Sequence, residues 1–146
     1  MFQKQTCELI CCIAEIISPS FFEAYSEKNW FFIQKFIYFL QESGYDLGFK
    51  FDWYNSGPYS CELRECEVDI YKNKLYKQKR FLQLTDTSIK DIITLKQTVF
   101  GKYETNNAHR TLEILSSLYF LKKHNFIFEN KSKDCVIDAY MDYRTR

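Results

Sequence analysis

The chain of 146 residues contains six cysteines and two histidines, the side chains best suited to nucleophilic or metal chemistry. Cys7 and Cys11 stand one helical turn apart on the same face of a predicted helix, where two thiolates could bind one metal ion. The chain has no Cys-x-x-Cys pair, however, and neither His109 nor His124 stands at ligand spacing from another ligand. We therefore expect no metal and no cofactor, and we expect reduced cysteines that pack as small apolar side chains.

Positive charge and aromatic rings alternate in residues 71–81, which we call the basic segment. Its cations are Lys72, Lys74, Lys77, Lys79 and Arg80, and its aromatic residues are Tyr71, Tyr76 and Phe81. Such cations suit a nucleic-acid backbone and such rings suit stacked bases, so the segment could be the wing of a winged-helix DNA-binding regulator. The formal net charge of +1 favours instead a solvated edge whose lysines prevent strand pairing. DNA binding is therefore the alternative function.

The sequence contains none of the common catalytic motifs. It lacks a G-x-S-x-G nucleophile motif, a glycine-rich phosphate loop and an H-x-E metal motif. His109 has no nucleophile near it in sequence, and Ser116 and Ser117 lie about two helical turns further along the same predicted helix. We therefore predict that the protein is not an enzyme.

Residues 49–63, FKFDWYNSGPYSCEL, combine five aromatic residues with a Gly-Pro turn. In the first half, aromatic and polar residues alternate, which is typical of a half-buried strand. Gly57 and Pro58 then break the strand, because proline fixes its own φ and pushes the preceding residue out of the helical region. Ser56 or Ser60 can cap a new helix. The segment therefore predicts a strand, a rigid turn and a helix.

The aromatic side chains beside this turn are candidates for contact with a partner. Trp53, Tyr54 and Tyr59 each join a large apolar area to a polar tip, which suits a protein interface. Aromatic residues at strand spacing also pack commonly into a core, and Trp53 fits either role. With Gly57 and Pro58, which we expect to face outward, these residues form the predicted partner-binding set.

Several segments together resemble a known family. Residues 35–41 read KFIYFLQ and are followed by Gly44, residues 53–58 read WYNSGP, and residues 112–118 read LEILSSL. These segments are similar to the core of the Panacea (SocA-like antitoxin) domain and of the related YwgA-like proteins. Those proteins show a helix ending in K-hydrophobic-x-Y-F/L-x-Q, a short loop, the pattern W-x-x-x-G-P and a second helix.

The resemblance covers residues 30–121 and implies a single Panacea/YwgA-like helical domain, which we assign to residues 1–146. It also implies a non-catalytic module that is antitoxin- or adaptor-like and acts by binding a protein partner. That partner could be a toxin or a protease substrate. The contact candidates are then the aromatic residues around the turn.

Apolar periodicity and helix-stop residues predict a mainly α domain of five or six helices with a small β element. The chain has four glycines and two prolines, and such scarcity of breakers favours helices over an all-β fold. The predicted β element is Phe49–Tyr54, and Lys77–Leu84 is a candidate for a second strand. The predicted helices run over residues 5–18, from an Asn29 cap to Ser43, over 61–72 with Asn73 as exit, from Asp86 or Thr87 to Gly101, from Asn106 or Asn107 to His124, and over 134–143.

The second helix is predicted to be the centre of the fold. Its apolar residues cover almost the whole circumference, which is typical of a helix buried on all sides; they are Trp30, Phe31, Ile33, Phe36, Ile37, Phe39 and Leu40. The fifth helix carries two apolar stripes, so we expect it to pack beside the second.

The same apolar run bears on membrane association. It contains Gln34 and Lys35 and is too short to span a bilayer. No signal peptide is recognisable, since Lys4 and Glu8 interrupt any hydrophobic region near the first residue. We therefore expect a cytoplasmic protein without a membrane partner.

Overall fold

The computed structural model describes residues 4–80, 82–100 and 105–124. The described chain is mainly helical, with a small two-stranded antiparallel sheet, which confirms the predicted fold class. In chain order the elements are α1 (Lys4–Ile17), α2 (Glu27–Glu42), β1 (Asp52–Tyr54), β2 (Gly57–Tyr59), α3 (Cys61–Lys72), a 3₁₀ turn (Leu75–Lys77), α4 (Asp86–Phe100) and α5 (Thr105–Lys123). None of the described helices has the length and apolarity needed to cross a bilayer.

Small polar residues set the helix boundaries. Ser26 caps α2, because its Oγ accepts a hydrogen bond from Asn29 N at 3.2 Å, so the predicted Asn29 cap is wrong by one turn. Ser60 caps α3 in the same way, with its Oγ 3.2 Å from Leu63 N. Asn73 follows the last residue of α3, as predicted.

The second helix is the centre of the fold, as the sequence predicts. Ile33, Phe36 and Ile37 of α2 are completely buried. Helix α5 packs along α2, which confirms the expected pairing. At the far end of that pairing, Lys123 Nζ lies 2.7 Å from Glu42 Oε1. One residue departs from the pattern, because the Phe31 side chain is 42 % exposed.

Helices α1, α3 and α4 and the 3₁₀ turn complete the domain, with α1 packed against the other three. Between α1, α2 and α3 lies a cluster of aromatic rings: Phe21, Phe22, Trp30, Tyr71 and Tyr76. Trp30 Nε1 donates a hydrogen bond to Tyr71 Oη at 3.0 Å, so the indole N–H has a partner within the cluster.

The β structure differs from its prediction in two places. The strand expected at Phe49–Tyr54 is limited to β1, and β2 follows the turn before α3 begins. The candidate strand at Lys77–Leu84 is wrong: a 3₁₀ turn ends at Lys77, and residues 78–80 and 82–84 adopt no regular structure. The predicted helix over 134–143 and the Gly101 stop lie outside the described residues.

Candidate functional site

The Gly57–Pro58 bend is buried rather than exposed. β1 and β2 pair so that Asp52 faces Tyr59 and Tyr54 faces Gly57. Both Gly57 and Pro58 are buried, and a Cβ placed on Gly57 would lie 2.2 Å from Ser117 Oγ of α5. Gly57 has a φ of +94°, a conformation that favours glycine. The expectation that the bend faces outward is therefore wrong, because β2 lies between α2 and α5.

Polar side chains of α2 hold the hairpin in place. Gln34 accepts from Ser60 N at 2.8 Å and donates to Ser60 O at 2.9 Å. Gln41 makes the same pair of bonds with Phe49, accepting from its N at 3.0 Å and donating to its O at 2.9 Å. Lys35 Nζ donates to Pro58 O at 2.5 Å. The polar residues of the KFIYFLQ segment thus position the hairpin and do not reach a partner.

Lys35 is a cation inside the core, with only 3 % of its surface exposed. Burial lowers the pKa of its ammonium group to about 8, and the negative charge of Glu113 opposes this shift only in part. The unfolded chain releases the same proton near its ordinary pKa of 10.5. Between these two values the unfolded chain binds more protons than the folded protein, so folding becomes more favourable as pH rises.

We expect the wild type to gain about 2–3 kcal/mol of unfolding free energy relative to Lys35→Met as the pH rises from 8 to 10.5. Comparing the two proteins cancels the titration of groups that they share, including the tyrosines. Urea unfolding at a series of pH values measures the difference. Lys28→Met, on the exposed side of the same helix, is the matched control for removing a lysine. If the unfolding free energies of the wild type and Lys35→Met changed equally with pH, the lowered pKa of Lys35 would be contradicted.

The aromatic residues of the hairpin point in two directions. Trp53 is half-buried, with its ring centroid 5.9 Å from that of Phe120 in α5. Tyr54 is 43 % exposed, and its ring meets that of the half-buried Tyr59 edge-to-face at 5.3 Å. Tyr59 in turn lies 6.4 Å from the exposed ring of Phe31 in α2. Of the predicted partner-binding set, Tyr54 and Tyr59 therefore reach the surface together, while Trp53 packs toward α5.

These exposed rings border a groove between α2, β2 and α3, with a volume of about 200 Å³. We call it the aromatic groove; it is lined by Glu27, Trp30, Phe31, Gln34, Tyr59, Leu63, Arg64 and Glu67. Arg64 forms an ion pair with the buried Glu67 and donates to Tyr25 Oη at 3.4 Å. Tyr25 is itself 55 % exposed, so three exposed aromatic residues, Tyr25, Phe31 and Tyr54, lie at or beside the groove.

The phenols of the groove stay protonated near neutral pH. A hydrogen bond with the Cys61 thiol, whose Sγ lies 3.1 Å away, raises the pKa of Tyr54. Burial is the main cause that raises the pKa of Tyr59. Each phenol can therefore donate as well as accept a hydrogen bond to a ligand.

Two aromatic residues at or beside the groove, Phe31 and Tyr25, were not among the contacts predicted from the sequence. Phe31 belongs to a helix that is apolar nearly all round, so the sequence carries no signal for which ring remains uncovered. Tyr25 lies in the connection before Ser26 and follows no periodicity. Only the stop signal at Pro19 and the cap at Ser26 could have placed Tyr25 on a loop just before the start of α2.

In the basic segment the lysines are exposed, whereas the arginine is partly buried. Lys72, Lys74, Lys77 and Lys79 are exposed. Arg80 is engaged inside the fold: its Nη2 donates to Glu15 Oε1 at 2.6 Å and to Tyr76 O at 3.2 Å. Its hydrogen bond with Glu15 raises the pKa of Arg80. Arg80 is therefore not free to bind a phosphate.

The aromatic residues of the basic segment also serve the fold. Tyr71 and Tyr76 lie in the aromatic cluster, where the Tyr76 ring stacks on Phe22 at 5.2 Å. Both rings are half-buried and pack against other aromatic rings of the fold. Residues 73–80 and 82–84 also contain no strand, so the described structure has no wing there.

A larger cavity of about 440 Å³ lies at the other end of α2, between α5 and the chain that follows Gly44. Its lining includes Tyr38, Phe51 and Phe120 but none of the predicted partner-binding residues. Among the residues that the structure describes, no three metal-binding side chains come together. Cys7 and Cys11 are both buried, as predicted.

No family model matches the chain, and neither a curated protein nor a solved structure is significantly similar to it.

Proposed function

We propose that this protein is a non-catalytic protein-binding module, antitoxin- or adaptor-like, and that its aromatic groove takes an extended segment of a protein partner. The observation that carries the proposal is the gathering of three exposed aromatic side chains, Tyr25, Phe31 and Tyr54, around one groove. Single exposed apolar residues are common on protein surfaces, but a group of them beside a concave site marks an interaction surface.

The rings of the groove have the properties of interface anchors. Phe31, Tyr54 and Tyr59 form a chain of ring contacts, so each is partly ordered before a partner arrives. An ordered tyrosine loses little conformational entropy on binding, while it offers a wide apolar area and a hydroxyl. A peptide side chain could therefore pack on these rings at a low ordering cost.

The charges of the groove favour one class of partner segment. Two carboxylates, Glu27 and Glu67, and one guanidinium, Arg64, line it, so its formal charge is −1. Arg64 already forms an ion pair with Glu67, and Glu27 lies exposed at the rim. Complementarity then favours a segment that carries an apolar side chain for the rings and a lysine or arginine near Glu27.

The antitoxin-like part of the proposal comes from the resemblance to the Panacea and YwgA-like proteins. Two residues of the resembling segment, Lys35 and Gln41, support the hairpin that carries Tyr54 and Tyr59. A toxin or a protease substrate is therefore the kind of partner that we propose.

The test compares the affinity of the wild type for its partner with that of a double variant, Phe31→Ala with Tyr54→Ala. We expect at least tenfold weaker binding, a loss of about 1.4 kcal/mol or more, because both changes remove exposed anchors and little core. The wild-type protein, immobilised on a resin, captures the partner from a lysate of the cells that produce the wild-type protein. Calorimetry then measures the affinity of the purified partner for the wild type and for the variant. The matched control is Ile93→Ala with Leu115→Ala, which removes two similarly exposed apolar side chains elsewhere.

Equal affinity for the groove variant and for wild type would contradict the groove proposal. Recovery of salt-sensitive nucleic acid in place of a protein would support the alternative, a DNA-binding regulator that uses Lys72, Lys74, Lys77 and Lys79. Thermal unfolding of each variant establishes that a loss of binding does not reflect a loss of folding.

A further inference from the structure

Two cysteines far apart in sequence meet in the core. Cys7 of α1 and Cys66 of α3 have their sulfur atoms 3.1 Å apart, and each side chain is only 1 % exposed. They are separated by 59 residues, so their contact is a product of tertiary packing and not of local chain geometry. Both are free thiols in this structure.

We propose that Cys7 and Cys66 form a reversible disulfide that joins α1 to α3 when the surrounding thiol pool becomes oxidising. A disulfide bond is about 2.05 Å long, so the two sulfur atoms need to approach by only about 1 Å. The backbones already hold the two side chains facing each other, since α1 and α3 are packed together.

The neighbouring groups make the two sulfur atoms unequal. The hydrogen bond between the two thiols lowers the pKa of Cys7, although burial and the charges of Asp69 and Glu8 oppose this shift. The same hydrogen bond and burial raise the pKa of Cys66. Cys7 is therefore the sulfur that ionises first and attacks.

The third buried thiol of this region is a poor competitor. Cys11 lies one turn after Cys7, and burial raises its pKa to about 12. It therefore stays protonated, and a protonated thiol is not a nucleophile. Cys61 is exposed at the first turn of α3, where its sulfur contacts the hydroxyl of Tyr54.

The oxidant is a low-molecular-weight disulfide such as glutathione disulfide. The Cys7 thiolate attacks one glutathione sulfur, forms a mixed disulfide and releases one glutathione thiolate. The Cys66 thiol then loses its proton to solvent, and the resulting thiolate attacks the Cys7 sulfur and releases the second glutathione thiolate. Two protein thiols are oxidised and one glutathione disulfide is reduced to two thiols. Because both cysteines are buried, the first step proceeds during a local opening that admits the oxidant to Cys7 while the two sulfur atoms stay in contact.

The bridge would close a loop that contains α2 and the hairpin, and hence two walls of the aromatic groove. Closing a loop of this length reduces the entropy of the unfolded chain. We expect oxidation to raise the midpoint of thermal unfolding, on the order of 10 °C. The proposed bridge does not depend on the proposed partner, because it concerns the scaffold and not the groove surface.

The test is disulfide mapping of the purified full-length protein after equilibration in glutathione buffers of increasing oxidised fraction. Free thiols are alkylated, and the protein is digested without reduction and analysed by mass spectrometry. We expect a linked pair of peptides that contain Cys7 and Cys66, lighter by two hydrogen atoms than the separate thiol peptides, together with the higher unfolding midpoint. Adding reduced glutathione in excess should reverse both changes.

Two variants act as controls. Cys61→Ala removes an exposed thiol and should keep both the linked peptides and the shift in the midpoint. Cys66→Ala should lose both. Peptide mapping of the wild type decides the question even if Cys66→Ala fails to fold. Alkylation of Cys7 and Cys66 after oxidation, or a bridge that joins either of them to another cysteine, would overturn the proposal.

Discussion

Replacing Phe36 by Ala should lower the free energy of unfolding by about 3–5 kcal/mol, the usual cost of truncating a buried phenylalanine. Phe36 has no exposed surface and lies in the middle of α2, the helix against which α5 and the hairpin pack. Its ring also stacks on that of Phe32, with centroids 5.9 Å apart. Alanine would leave a cavity that neighbours on several elements cannot fill at once. Urea unfolding monitored by circular dichroism measures the loss.

The matched control is Phe31→Ala, which deletes the same ring from the same helix. Phe31 is 42 % exposed and lines the groove, so its removal should cost about 1 kcal/mol or less. Both variants change the helix propensity by the same amount. The difference between their unfolding free energies therefore measures the contribution of burying the ring. Equal stability of the Phe36→Ala protein and the wild type would show that α2 is not the centre of the fold.

Replacing Gly57 by Ala should lower the free energy of unfolding by about 2–4 kcal/mol, for two separate reasons. The φ of +94° is unfavourable for any residue with a side chain. In addition, the new Cβ would lie 2.2 Å from Ser117 Oγ, so α5 or the hairpin must move. Thermal and urea unfolding provide the measurement.

Two further substitutions separate these reasons. Gly44→Ala meets the strain of a φ of +118° with no atom within 4 Å, so it should cost only about 1–2 kcal/mol. Ser117→Ala removes the obstructing hydroxyl, which is buried without a hydrogen-bond partner among the described residues, and should be close to neutral. The double variant Gly57→Ala with Ser117→Ala should therefore recover part of the loss. No recovery would show that backbone strain alone accounts for the effect.

The helices were predictable because their signals are local. Cys61–Lys72 has its predicted bounds, set by the Ser60 cap and the Asn73 exit. The central position of α2 also follows from its all-round apolar pattern. The Asn29 cap failed because Ser26 and Asn29 are both good capping residues, and sequence alone does not show which of them forms the bond.

The site was predictable only in part, because its geometry depends on tertiary contacts. The sequence marks residues 53–59 as distinctive, but it does not reveal that Ser117, which comes sixty residues after Gly57, covers that glycine. Tyr54 and Tyr59 reach the surface together with Phe31 because β2 is inserted between α2 and α5. Arg80 likewise belongs to a basic run in the sequence, and only the structure shows its ion pair with Glu15 of α1.

The two glutamines of α2 act as substitutes for a neighbouring strand. A primary amide can direct an N–H donor and its C=O acceptor to the same side, as one residue of a strand does, and Gln34 and Gln41 present theirs to the backbones of Ser60 and Phe49. These contacts join residues only 26 and 8 positions apart. Short separations lower the entropy of loop closure, so residues 34–60 form a unit of low contact order. A hairpin transplanted into another scaffold would therefore need α2, with both Gln34 and Gln41, to be transplanted as well.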